Sequence, residues 1–203
     1  MIGIINYGMG NLASVRNALE HLSIPCKIVT DATELREADK LILPGVGAFG
    51  MAMDNLNRSG LSDEIRELVL VKKKPILGIC LGMQLLLDQS VEHGVHNGLS
   101  IVNGEVLFFG EVVKDQPIPH MGWNDVEVKN NAVLFNGIES PSSYYFVHSY
   151  YCALKRHEDV AAVTDYGINF HSSIESGHIF GCQFHPEKSQ QKGLCIFKNF
   201  NSL

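Results

Sequence analysis

Two apolar rhythms divide this chain. Up to about residue 90, short apolar runs alternate with stripes of helical spacing. Residues 2–5, 26–29, 40–43 and 76–79 read as strands, and the last is apolar on both faces as central parallel strands are. Leu12, Val15, Leu19 and Leu22 stand at helical spacing, as do Leu61, Ile65, Leu68 and Val69 within a helix expected over residues 61–71. A shorter helix is expected over residues 51–57. Strand alternating with helix predicts a parallel sheet covered on both faces.

After Gly94 the rhythm changes. Residues 101–102, 105–109, 125–128, 144–151, 160–163 and 168–174 read as strands separated by Gly, Asn, Pro and Ser turns. This half is expected to be partly antiparallel. A strand then runs toward the turn at residues 185–187, and a closing helix over residues 193–200 points Leu194, Phe197 and Phe200 inward. With no linker or repeat between the halves, residues 1–203 are expected to form one mixed α/β domain.

Composition narrows the classes. The net charge is −6, and the only basic run, Lys72-Lys73-Lys74, reads as a solvated helix end, which argues against a nucleic-acid partner. No apolar run reaches membrane-span length and the N-terminus lacks signal-peptide character, so a cytoplasmic protein is expected. The five cysteines are scattered without a C-x-x-C pair, which fits reduced thiols and argues against a metal site. The turn at residues 6–11 has neither G-x-G-x-x-G nor a P-loop lysine, so no nucleotide cofactor is expected.

One stretch carries chemistry. Lys74-Pro75-Ile76-Leu77-Gly78-Ile79-Cys80-Leu81-Gly82-Met83-Gln84 reads as strand, sharp turn and helix start. Its Gly-x-Cys-x-Gly core has the form of a nucleophile elbow with Cys80 in place of serine. A thiol nucleophile needs a base, and the base needs a group to orient it. Among nine histidines, His21, His93, His96, His157, His171 and His178 lie in polar contexts and read as solvated, and His120 reads as a loop anchor. His185 ends an apolar strand and is followed by Pro186 and Glu187. Extended backbone would place His185 and Glu187 on one face, with Pro186 stiffening the pair. Cys80, His185 and Glu187 therefore form a candidate triad. The Gly45-Val46-Gly47 turn is flexible enough to aim backbone N–H groups at a substrate.

These motifs, Gly78–Gln84 and Phe184-His185-Pro186-Glu187, resemble those of the class I (triad) glutamine amidotransferases, and the resemblance extends over the whole chain. It implies a flavodoxin-like fold, a mixed, mostly parallel sheet flanked by helices. It implies hydrolysis of glutamine to glutamate and ammonia through a Cys80 thioester. It places the oxyanion on backbone of Val46, Gly47 and Leu81, and the substrate against Gly45, Gln84, Ser149 and Tyr150. Within the family, the elements at residues 6–11, 44–50, 119–124, 145–150 and 185–189 are similar to glutaminase subunits of histidine biosynthesis. Those subunits pair as heterodimers with a (β/α)8-barrel cyclase that uses the ammonia to make imidazole glycerol phosphate and AICAR. The implied interface residues are Asn11, Trp123, Tyr145 and Lys188, while Ser14 stands where some relatives carry a second interface Asn.

Other readings remain open at this point. Paralogous glutaminases feed sugar-modifying synthases of surface polysaccharide pathways, and the triad does not discriminate between acceptors. A non-catalytic module would not need all three of Cys80, His185 and Glu187. A cysteine protease or thiol-redox sensor of similar fold is disfavoured by Gly-Met-Gln after the elbow and by the His-Pro-Glu order.

Overall fold

The computed structural model describes residues 1–129 and 132–203. The first half runs β1 (Ile2–Ile5), α1 (Leu12–His21), β2 (Cys26–Val29), α2 (Ala32–Glu37), β3 (Lys40–Gly45), α3 (Phe49–Arg58), α4 (Leu61–Arg66), β4 (Ile76–Cys80) and α5 (Leu81–Leu85). The second half contributes β5 (Gln89–Ser90), β6 (His96–Asn97), β7 (Gly104–Phe108), α6 (Phe109–Val112), β8 (His120–Val128), β9 (Ser142–His148) and β10 (Tyr150–Leu154). It closes with β11 (Val160–Asp165), β12 (Asn169–Ser176), β13 (Ile179–Cys182) and α7 (Gln190–Asn201).

The strands join in the order β2-β1-β3-β4-β13-β12-β10-β7-β5-β6, and β11, β8 and β9 branch from β12. From β2 to β13 every pairing is parallel; from β13 to β12 and through the β12–β11–β8–β9 branch it is antiparallel. Apolar side chains on the two faces of the parallel strands enter two separate cores. Ile5, Leu41, Leu43 and Ile76 pack with α3 and α4, while Ile2, Ile4, Ile42 and Leu77 pack with α1 and α7. That two-sided burial is why these strands are apolar throughout.

Several local expectations change. The Pro119–Asn124 cluster is not a loop: from His120 onward it is the start of the long strand β8. Residues 101–102 are not a strand, and α2, β5 and β6 were not anticipated. The helix of residues 61–71 ends in a π-turn, Glu67–Val71, with Leu68 and Val69 buried as expected. Lys74 is not simply solvated. Its ammonium donates to the carbonyls of Leu35 (2.9 Å), Arg36 (2.8 Å) and Ala38, closing the C-terminal end of α2. His171 and His178 are also engaged: a His171 ring nitrogen accepts the Leu154 N–H at 2.9 Å, and His178 Nε2 bonds the Val69 carbonyl at 2.7 Å.

The elbow is the tightest point of the frame. A Cβ at Gly82 would lie 1.7 Å from the Leu43 carbonyl oxygen, and one at Gly78 would lie 2.7 Å from the Gly82 oxygen and Met83 backbone. The turn can press onto β3 only without side chains there. Gly82→Ala should therefore lower the free energy of unfolding by at least about 1–3 kcal/mol, the usual cost of overpacking, read as a lower urea midpoint at unchanged slope.

Candidate active site

Cys80 is the last residue of β4 and caps α5 with φ 53° and ψ −113°. Such a backbone costs a non-glycine residue about 1–3 kcal/mol and persists only when its surroundings hold it. Here they do: Gly45 pairs with Cys80 on one side of β4, and Cys182 pairs with Ile79 on the other. The strained turn lifts the thiol to the sheet's C-terminal edge, where open α/β sheets bind ligands.

Strand β13 stops at Cys182, and His185 follows in extended backbone, φ −99° and ψ 98°. Glu187 lies in a 3-10 turn, Pro186–Lys188, rather than in the extended segment first expected. The turn still sets the two side chains together, with His185 Nδ1 donating to Glu187 Oε1 at 2.8 Å. Both are almost fully buried, 2% and 1% exposed. Burial alone would lower the imidazole pKa, but the Cys80 thiol and the Glu187 carboxylate together raise it to about 10. His185 Nε2 is buried without a hydrogen-bond partner of its own. It is the nitrogen left over for proton transfer.

A cavity of about 270 Å³ opens over this group. Cys80, His185, Val46, Gly47, Leu81, Gln84, Ser149 and Tyr150, all singled out from the sequence, line it. Gly45 lies just beneath, at the end of β3, and Glu187 sits behind His185. Gly47 has φ +99°, and Val46 is 42% exposed. The Tyr150 carbonyl is not free for a ligand, because it accepts from Gln84 Nε2 (3.1 Å) and from His148 Nδ1 (2.7 Å).

Three groups at the site, two of them lining the cavity, escaped the sequence reading. Gln183, fully buried, donates from Nε2 to Cys80 Sγ at 3.7 Å and accepts from Gln84 Nε2 at 3.0 Å. His148 lines the cavity and meets His120 at 3.0 Å. A backbone carbonyl only accepts, so His148 carries its proton on Nδ1 and accepts on Nε2 from His120 Nδ1. His120 Nε2 then accepts from Asn124 Nδ2 at 3.2 Å. Burial holds both rings neutral, with pKa values of about 4 for His120 and about 3 for His148. Glu92 also lines the cavity, and its carboxylate accepts the Phe49 N–H at 2.6 Å, where α3 has no other side-chain cap. Gln183 follows β13, His148 ends β9 and Glu92 follows β5, so no pattern local to the elbow marks them.

The candidate interface residues fall beside this site. Trp123 and Tyr145 are register partners on β8 and β9, with ring centroids 6.2 Å apart. Lys188 Nζ lies 5.6 Å from the Tyr145 ring centroid, one residue after Glu187. Asn11 caps α1, its side chain accepting the Ser14 N–H at 3.4 Å. Trp123 is half exposed and Met121 more so, two apolar side chains at alternate positions of β8. Among the described residues, no helix is long and apolar enough to cross a membrane and no cluster could hold a metal ion.

A strained cysteine at a strand-to-helix elbow and a buried His–Glu pair share the C-terminal edge of an α/β sheet, the arrangement a thiol-nucleophile hydrolase requires. The glutamine amidotransferase class-I family pattern matches residues 3–202, and the chain belongs to that family. Over 203 residues and the full length of both chains, it is 48% identical to imidazole glycerol phosphate synthase subunit HisH 1 of Campylobacter jejuni strain RM1221. It is also 48% identical, over 202 residues, to subunit HisH of Moorella thermoacetica, spanning 100% of this chain and 94% of that one. Among solved structures, PurLQS from Thermotoga maritima superposes with TM-score 0.75 at 20% identity, covering 99% of this chain and 97% of that one. The glutaminase domain of Trypanosoma brucei CTPS superposes with TM-score 0.67 at 18% identity, covering 99% and 93%. These two likenesses are of fold.

The charge states give stability a two-sided pH dependence. His185 is raised in the folded state, so its contribution is complete below about pH 6.5 and is lost as pH rises toward 10. His120 and His148 are lowered, so theirs is complete above about pH 6.5 and is lost as pH falls toward 4. Urea midpoints should fall on both sides of neutrality. The alkaline fall should be shallower in Glu187→Gln, and an equal slope in that variant would contradict the assignment.

Proposed function

We propose that this chain is the glutaminase subunit of an imidazole glycerol phosphate synthase, which hydrolyses glutamine and passes ammonia to a cyclase partner. The observation that carries the chemistry is the buried His185–Glu187 pair behind the strained Cys80. Full-length identity of 48% to subunits of that synthase supports the acceptor.

The steps follow from the groups around the cavity. His185, its pKa raised beside Cys80 and Glu187, already holds the proton taken from Cys80 on Nε2 when the sulfur attacks the side-chain carbonyl of glutamine. Glu187 holds the imidazole by its Nδ1–H and stabilises the imidazolium. The oxyanion is received by backbone N–H groups of Val46, Gly47 and Leu81. The tetrahedral adduct collapses as His185 returns the proton to the leaving ammonia, and a thioester remains on Cys80. Water, deprotonated by His185, cleaves the thioester, releasing glutamate and restoring the thiol. Gln84 is engaged by its amide nitrogen with Tyr150 and Gln183, so its carbonyl is the end it presents to substrate. Glu92 puts a carboxylate in the cavity wall, a counter-charge for a substrate ammonium.

Ammonia set free in water would be protonated and lost, so a partner must cover the exit. We assign that role to a (β/α)8-barrel cyclase seated on the Asn11, Trp123, Tyr145 and Lys188 face, in a cytoplasmic heterodimer. The Gly45–Gly47 loop lies at the same sheet edge, and the isolated chain should turn over slowly until the partner docks.

Cys80→Ala should lose at least ~10³-fold of glutamine hydrolysis and all covalent labelling by a glutamine-analogue diazo-ketone. Labelling of the variant at the parent's rate would remove Cys80 as nucleophile. The gene should rescue a histidine auxotroph lacking its glutaminase when the cognate cyclase is present. Failure there, with hydrolysis intact, would redirect the ammonia to a sugar-modifying synthase. Trp123→Ala, at a half-exposed position, should weaken cyclase binding by at least about 30-fold in titration calorimetry, as for a central aromatic anchor, with Cys80 labelling unchanged.

A further inference from the structure

We infer that Gln183 is a catalytic residue whose side-chain N–H is donated to the Cys80 sulfur, and that Gln84 is the positioning residue that fixes its orientation. This rests on the reading of Cys80 as nucleophile and deepens it. Gln183 lies one residue past β13, has no exposed surface, and brings Nε2 to 3.7 Å from Cys80 Sγ.

A glutamine amide can be turned end for end, so its direction must come from its neighbours. Here it comes from a backbone carbonyl. Tyr150 C=O only accepts, and Gln84 Nε2 lies 3.1 Å from it, which makes that end of Gln84 the donor. The same nitrogen lies 3.0 Å from Gln183 Oε1, so that end of Gln183 is the acceptor. Gln183 Nε2 is then left for the sulfur. Turning either amide would set like groups against each other inside a buried cluster. The Tyr150 carbonyl is itself held by the neutral His148, which His120 and Asn124 hold in turn.

A donor to sulfur stabilises the thiolate over the thiol. It favours the attacking form of Cys80 and, in the second half-reaction, the departing thiolate when water cleaves the thioester. Gln84 is then more than a substrate contact: its nitrogen aims Gln183, and its carbonyl faces the cavity.

The test uses N-ethylmaleimide at pH 7 on the full chain, because this reagent has no primary carboxamide to mimic glutamine. Alkylation of Cys80 is followed by peptide mass mapping, with Cys26, remote from the network, as internal reference. In Gln183→Leu the Cys80 rate should fall about tenfold relative to Cys26, the worth of one hydrogen bond to a charged group. Gln183→Glu keeps the shape without the donor and should fall at least as far; it serves if the Leu variant does not give a native near-UV spectrum. Gln84→Leu should lower the rate roughly threefold or more, by freeing the Gln183 amide to turn. An unchanged Cys80 rate in a folded Gln183 variant overturns the donor. A Gln84 variant that raises KM for glutamine but alkylates at the parent's rate overturns the positioning role. If the parent hydrolyses no glutamine, the glutaminase reading fails while the alkylation result stands on its own.

Discussion

Parallel pairing of β4 with β3 on one side and β13 on the other is the constraint on which the site depends. The registers Gly45–Cys80 and Cys182–Ile79 bring three strand ends to one level. From that level the chain leaves as the Val46–Gly47 turn, as the elbow and as the His185 segment. The Val46–Gly47 backbone, the Cys80 thiol and the His185 imidazole are thus brought together by one hydrogen-bonded ladder, although residues 45, 80 and 185 are far apart in the chain. A register slip in any of the three strands would reverse side-chain faces and disperse the group.

That frame also holds a stressed turn. Cys80 sits at positive φ, and Gly82 is pressed against the Leu43 carbonyl so closely that no side chain fits. The strain is retained because β4 is buried along its full length, with both edges paired. Around it the polar groups are arranged in one direction. Glu187 sets the orientation of the His185 imidazole, and the Gln84–Gln183 amides run from a backbone carbonyl to the sulfur. Preorganisation of this kind removes reorganisation from the chemical step. It also explains why neutral histidines are buried here: His148 and His120 brace the Tyr150 carbonyl without bringing charge near the thiol.

Much of this was legible in the chain. Short two-faced apolar runs at β1, β3 and β4 and the helical stripes of α1 and α4 identify a parallel α/β sheet, because burial on both faces leaves a local signature. Gly-x-Cys-x-Gly and His-Pro-Glu mark the elbow and the His185–Glu187 contact, because steric and hydrogen-bonding needs act there between near neighbours. Even so, the side-by-side contact of His185 and Glu187 arises from a 3-10 turn and not from a strand. Residues His120–Asn124 form strand rather than loop because they pair with β9, twenty or more residues away.

The sequence by itself determined the elbow, the His–Glu pair and the class of sheet that presents them. Only the tertiary structure decided what holds those groups in place. Gln183 against Cys80, His148 against Tyr150, Glu92 on the α3 terminus and Lys74 on the α2 terminus are contacts between distant segments. A hydrogen bond of this kind leaves no periodicity and no spacing in the chain, since its partner is chosen by how strands register and helices pack. The elbow announces its chemistry locally, whereas its support is a property of the fold.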